Sequence, residues 1–166
     1  MALKNIDTYI ERHGLVETTD ATVKKPIYRK PGFDGIVSLS AMEENFSRFL
    51  RRKRDAQRLN RQQVGMMVGI HHEIYARHER AAARLTMTRL LHLAELLDFS
   101  PIEAIHTIAP QFFGSDQKEA DTKFELAMRI SGLSAEAAEA LLRVVQQLPT
   151  RGSNEAQMTK HGGSGA

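Results

Sequence analysis

The residues with chemistry to offer are cations and imidazoles, and they crowd into one stretch. Residues 46–98 hold 11 Lys+Arg against 5 Asp+Glu, whereas residues 1–45 and 99–166 each carry a small acidic excess. A basic segment between near-neutral flanks is the electrostatic footprint of a module that neutralises phosphates, although a solvated helix face gives the same count. The stretch also holds His71, His72, His78 and His92. A zinc-protease arrangement needs a histidine three residues after His72-Glu73, at position 76, and that position is Ala76. The spacing of His72 and His78 does not put both imidazoles on one helix face. No metal is therefore expected, and the histidines are expected to be structural or DNA-facing, with a capacity to make binding pH-sensitive. The chain has no cysteine, so it has no thiolate nucleophile, no disulfide framework and no thiolate metal site. Phosphate-cradling and dinucleotide glycine motifs and a nucleophile elbow are missing as well. Neither enzymatic activity nor a cofactor is expected.

The elements that would carry these residues follow from periodicity and caps. In residues 1–41, Leu3, Ile6 and Ile10 recur at helical spacing and Gly14 can close that turn. The run TTDATVKKPIYRKPGFDG is rich in breakers, and Ile27 to Arg29 within it and Ile36 to Leu39 just after it suit a small hairpin across Pro31 to Gly35. An arm that orders only on a partner fits the composition equally. A helical pattern begins at Ser40, with Glu43 placed for a capping box. It sets Phe46, Phe49 and Leu50 on one face and Arg48, Arg51, Arg52 and Arg58 on the other. Asn60 caps a second helix of this domain that Gly69 stops, and a third runs from about His71 to Arg80. A fourth holds Leu90, Leu91, Leu93, Ala94, Leu96 and Leu97, and Ser100-Pro101 opens a fifth. Beyond Pro110 two amphipathic helices are expected, over about 117–130 and from the cap Ser134 to about Leu148. The Gly/Ser-rich tail 150–166 is expected to be disordered.

The most specific stretch is LNRQQVGMMVGIHHEIYARHERA, from Leu59 to Ala81. Two short helices flank a turn at Gly69. Gly65 stands where they must pass closely, and Val64, Val68, Ile70 and Tyr75 are spaced to fill the wedge between them. These residues resemble the lambda-repressor-like (Cro-like, XRE) helix-turn-helix family at Leu59, Asn60, Val64, Gly65, Gly69, Ile70, His71, Tyr75, Ala76, Glu79 and Ala81. The register continues without a gap through the fourth and fifth helices, covering residues 46–108. Three positions depart from the family pattern. Ala81 replaces the usual glycine and Leu85 stands where proline is common, which suggests a more helical loop after the third helix. His78 occupies a position that is normally apolar.

The resemblance implies an all-α, five-helix DNA-binding domain over residues 42–109. It also implies that helix 61–67 crosses the DNA backbone while helix 71–80 enters the major groove. His72, Glu73 and Arg77 match the base-facing positions. Arg77 suits a bidentate contact to guanine, and Glu73 either accepts from a cytosine amine or orients Arg77 one turn later. Arg61 and His71 match backbone-contacting positions, and Arg52, Arg58, Arg80, Arg84 and Arg89 are further phosphate candidates. Glu79 is expected to pair with Arg54 and so to fasten the first helix of the domain to the third.

Residues 116–149 carry apolar stripes, among them Leu126, Ile130, Leu133, Leu141, Leu142, Val145 and Leu148, that suit a C-terminal helical hairpin. They either pack back on the DNA-binding core or, as preferred here, pair with a second subunit. The expected function is a sequence-specific, dimeric, double-stranded-DNA-binding transcriptional regulator. Two alternatives stand beside it. One is an antitoxin-like adaptor holding a protein partner through residues 1–40 or the C-terminal helices. The other is a low-specificity nucleoid or plasmid-maintenance protein. The N-terminal residues are not expected to be a signal peptide, and no apolar run reaches membrane-spanning length. The lack of cysteine fits a reducing cytoplasm, and the DNA-binding reading makes the expected location cytoplasmic and nucleoid-associated.

Overall fold

The computed structural model describes residues 6–148. Over the described residues the chain is mostly helical, with 8 helices and a two-stranded sheet, so it is not strictly all-α. It divides into two compact units whose boundary lies between Ala127 and Met128, inside a helix. Leu3 and the tail from residue 149 lie outside the described residues.

The N-terminal segment contains helix α1, Ile6–Arg12, ended at Gly14 with φ +57°. Strands β1, Val16–Asp20, and β2, Val23–Arg29, follow and pair antiparallel. The expected hairpin is therefore displaced: Ile27 to Arg29 is in a strand, but its partner lies before it in the chain rather than after. The reason is local. The Asp20 carboxylate accepts from both the backbone N–H and the hydroxyl of Thr22, at 2.9 and 2.7 Å, and so closes a tight turn between Asp20 and Val23. Its other oxygen accepts from the Leu39 N–H at 2.6 Å, tying the hairpin to the start of the next helix. These bonds, that of the Thr22 hydroxyl foremost, hold the Asp20 pKa down at about 2.

Helix α2, Leu39–Ala56, is capped by Ser38, whose hydroxyl accepts from the Ala41 N–H at 3.1 Å. Ser40 is thus already inside the first turn, and Glu43 stands too far along for the expected capping box. The segment from Ile36 to Leu39 leads into this cap, which precludes a strand there. Asn60 caps α3, Arg61–Met67, in a reciprocal capping box with Gln63. His71 caps α4, His72–His78, which stops two residues short of the expected end. Thr86 caps α5, Met87–Leu97, and Ser100 caps α6, Pro101–Ile108. Helices α2 to α6 share one core in which Phe49, Leu50, Val64, Tyr75, Leu93 and Leu97 are all but inaccessible. At about 25 cal/mol per Å² of buried apolar surface, this cluster dominates the stability of the first unit. Phe49 meets Phe99 edge to face with ring centroids 5.0 Å apart, joining α2 to the turn between α5 and α6.

A short 3-10 turn, Pro110–Phe112, leads to α7, Gln117–Ser131. His106 of α6 stacks on Phe124 at 4.2 Å, with its Nε2 3.1 Å from Asp121, and so anchors the beginning of α7. The second unit contains the end of α7 and α8, Ala135–Val145, capped by Ser134. Among the described residues no helix is long and apolar enough to cross a membrane.

The loop between α4 and α5 does not become helical. Ala81 instead takes the left-handed conformation, φ +54°, and ends α4 as a glycine would. A Cβ in that region costs about 1–2 kcal/mol. Ala81→Gly is therefore expected to stabilise the fold by about 0.5–1 kcal/mol, the greater unfolded-state freedom of glycine offsetting part of the relief. Urea denaturation checks this through a raised midpoint at unchanged slope.

Candidate nucleic-acid interface

Helices α3 and α4 meet at Gly65. A Cβ added there would lie 2.8 Å from the Ile70 carbonyl oxygen and 3.1 Å from the His72 Cα, so the backbones pass at a distance only glycine permits. Gly69, at φ +70°, supplies the turn between them. Val64, Val68 and Tyr75 are buried in the wedge, with Ile70 packed against them.

The pair is locked from behind by Glu79, whose side chain is fully inaccessible. Arg54 Nε of α2 donates to its Oε1 at 2.6 Å, and Arg61 Nε of α3 donates to its Oε2 at 2.7 Å. One carboxylate thus joins α2, α3 and the end of α4. Burial alone would raise the Glu79 pKa, but the hydrogen bonds and charges of the two arginines outweigh it and hold the group below its ordinary 4.5. Arg54 also donates to the Leu59 carbonyl at 2.7 Å and lies 2.7 Å from Asp55. Burial and the neighbouring Glu79 charge push the Tyr75 hydroxyl above its usual range, so it stays protonated.

Helix α4 has two faces. Tyr75, Ala76 and Glu79 are buried, whereas Glu73, Arg77 and Arg80 lie at i, i+4 and i+7 along an exposed strip. His71 and His72 stand at its N-terminal end with ring centroids 4.2 Å apart, His71 exposed and His72 half-buried. The expectation that Glu73 orients Arg77 is not met. Glu73 lies 3.8 Å from Arg80 and 3.5 Å from His72, while Arg77 reaches the Ala82 carbonyl at 3.4 Å. All three contacts are exposed and worth little, so the guanidinium of Arg77 can be redirected to a ligand at small cost.

The remaining cations divide into two groups. Arg52, Arg58, Arg80 and Arg84 are exposed. Arg61 is committed through Nε to Glu79 yet keeps its side chain 40% accessible, leaving its outer nitrogens able to meet a phosphate. Arg89 donates to the Val68 carbonyl at the end of α3, a helix-capping role that spacing did not reveal. His78 is half-buried. Its Nδ1 lies 3.1 Å from the Ala83 carbonyl, and its own carbonyl accepts from the Ser47 hydroxyl at 2.6 Å, so a polar residue is accommodated at a position expected to be apolar. Among the described residues no three of His, Asp or Glu converge on a metal-sized space.

In the second unit the apolar residues expected to pair with another subunit are largely accessible. Leu133, Leu142, Val145 and Leu148 are exposed, and Leu141 is half-buried.

Two substitutions test the architecture. Glu79→Gln leaves Arg54 without its buried counter-charge and is expected to cost about 3 kcal/mol. The depressed Glu79 pKa stabilises the fold fully above about pH 4.5 and ceases to do so as pH falls through the folded-state value. Acid denaturation of the Glu79→Gln protein should accordingly depend less on pH below about 4.5 than that of the native chain. Gly65→Ala forces α3 and α4 apart and is expected to cost about 1–3 kcal/mol by overpacking, read as a lowered thermal midpoint. Comparison of the chain with family models, curated proteins and solved structures gives no match.

Proposed function

We propose that this chain binds double-stranded DNA and acts as a sequence-specific transcriptional regulator of the lambda-repressor-like kind. In this reading α4 lies in the major groove and α3 crosses the backbone. The observation that carries it is the Gly65 approach, which fixes α3 and α4 as one rigid pair and leaves Glu73, Arg77 and Arg80 in a single exposed strip. The close crossing sets the attitude of α4, and the exposed strip offers its charged side chains to a ligand. His71, His72, Glu73 and Arg77 are the residues nearest the groove, with Arg77 the base reader and Arg52, Arg58, Arg61, Arg80 and Arg84 the phosphate contacts.

The same reading includes a homodimer. The exposure of Leu133, Leu142, Val145 and Leu148 around α8 supports pairing with another subunit, because an apolar stripe left in water is costly. Two such subunits would set the spacing of paired half-sites.

Selection of bound sequences from a random duplex pool at near-physiological salt tests the reading, run beside Arg77→Ala. A two-fold motif should emerge, and its preference at the Arg77-contacted base should relax by about 1–3 kcal/mol in the variant. Affinity that tracks salt but ignores sequence would instead support the low-specificity nucleoid reading, and no DNA binding at all would support the adaptor. Leu142→Glu combined with Val145→Glu should yield a monomer in sedimentation while leaving the helical content unchanged. A persistent dimer removes α8 from the interface.

A further inference from the structure

We propose that the β1–β2 hairpin is a second DNA-contacting element, in which Lys24 and Lys25 hold phosphates of the same duplex that α4 reads. The inference rests on the DNA-binding reading above and adds to it a surface outside the helix-turn-helix.

Charge is the first support. Strand β2 carries Lys24, Lys25 and Arg29, with Lys30 directly after it. The acidic groups of β1 are already engaged. Asp20 is buried and bonded to Thr22 and Leu39, and Glu17 accepts from the Tyr28 hydroxyl at 2.7 Å. Lys24 and Lys25 stay exposed.

The ladder is the second. Thr18 pairs with Ile27 and Asp20 pairs with Val23, so two residue steps on β1 face four on β2. The surplus forms a bulge that contains Lys24, Lys25 and Pro26. A bulge releases residues from regular pairing and re-aims their side chains, and Pro26 has no N–H to restore the pairing. Both lysines therefore fall in the unpaired, exposed part of β2 between Val23 and Ile27.

Position is the third. Arg84, in the loop that follows α4, has its Nη2 3.5 Å from the Thr22 carbonyl at the hairpin turn. The turn and a proposed phosphate contact of the helix-turn-helix are thus neighbours. The hairpin is also held in place, by Asp20 on the Leu39 N–H and by Arg29 on the Val37 carbonyl at 2.8 Å. A basic hairpin fixed beside the loop after α4 extends the cationic surface toward the flank of the site. Lysine ammoniums there act as point charges on phosphate and carry no base information.

The test uses the full chain, a fluorescein-labelled duplex of about three helical turns and anisotropy over roughly 50–200 mM salt. Lys24→Ala combined with Lys25→Ala should weaken binding evenly across sequences and make the salt slope shallower by about 2, with an unchanged thermal midpoint. Because the chain has no cysteine, Ala21→Cys at the exposed hairpin tip gives a unique thiol for an iron chelate. Strand cleavage should map to phosphates bordering the bases protected by α4. An unchanged salt slope overturns the proposal whatever the cleavage pattern, and a shallower slope without cleavage overturns it too, since the lysines then act at long range rather than by contact. In both cases duplex binding by the native chain persists and the parent reading stands. If the native chain binds no duplex, the parent reading fails and the hairpin proposal falls with it.

Discussion

The buried carboxylate of Glu79 is the constraint on which the rest of the first unit depends. It draws Arg54 of α2 and Arg61 of α3 onto the end of α4, at 2.6 and 2.7 Å, with the carboxylate itself and Arg54 shielded from solvent and Arg61 reaching in from the surface. An ion pair so situated contributes less net stability than its Coulomb energy implies, because the Glu79 carboxylate and the Arg54 guanidinium have left water. Its larger effect is on geometry. A hydrophobic wedge tolerates small slides between helices, whereas a carboxylate gripped from two sides does not. Gly65 supplies the complementary condition by letting the backbones of α3 and α4 close up. Together they fix the attitude of α4 relative to α2, and with it the direction in which Arg77 and its neighbours project.

The apolar core could be read from the chain because its signals are periodic and local. Phe46, Phe49 and Leu50, the leucines of α5, and the pair Gly65 and Gly69 announce helices and a tight crossing through spacing alone. Asn60, Ser100 and Ser134 announce where helices start. The polar cross-links were harder to foresee. Arg61 reads as an exposed cation at a helix start, and nothing in its neighbourhood says that Glu79, eighteen residues on, takes its Nε. Arg89 likewise looks like one more surface arginine until the end of α3 arrives beside it with an unsatisfied carbonyl. Such contacts depend on which elements become neighbours, and that is settled by the core rather than by the residues themselves.

The N-terminal segment shows the opposite failure. The local signals of TTDATVKKPIYRKPGFDG pointed to a turn at the Pro/Gly cluster, the usual breaker chemistry. The chain turns earlier, because one aspartate makes three hydrogen bonds that two weak turn residues, Ala21 and Thr22, could not make unaided. Helix α2 likewise starts ahead of Ser40, because Ser38 is its cap and Ile36 to Leu39 leads into that cap rather than forming a strand. A side chain that bonds both its own turn and a distant helix start leaves no periodic trace.

The two faces of α4 have a consequence for how such a protein can change over generations. Tyr75, Ala76 and Glu79 bear the structural load, and Glu73, Arg77 and Arg80 bear almost none, their mutual contacts being exposed and weak. Substitutions on the exposed strip therefore alter the chemistry offered to a ligand while leaving the folding equilibrium nearly untouched. A lineage built on this scaffold can drift through many recognition surfaces on the same core, since the mutations that redirect its contacts are not the mutations that endanger its fold.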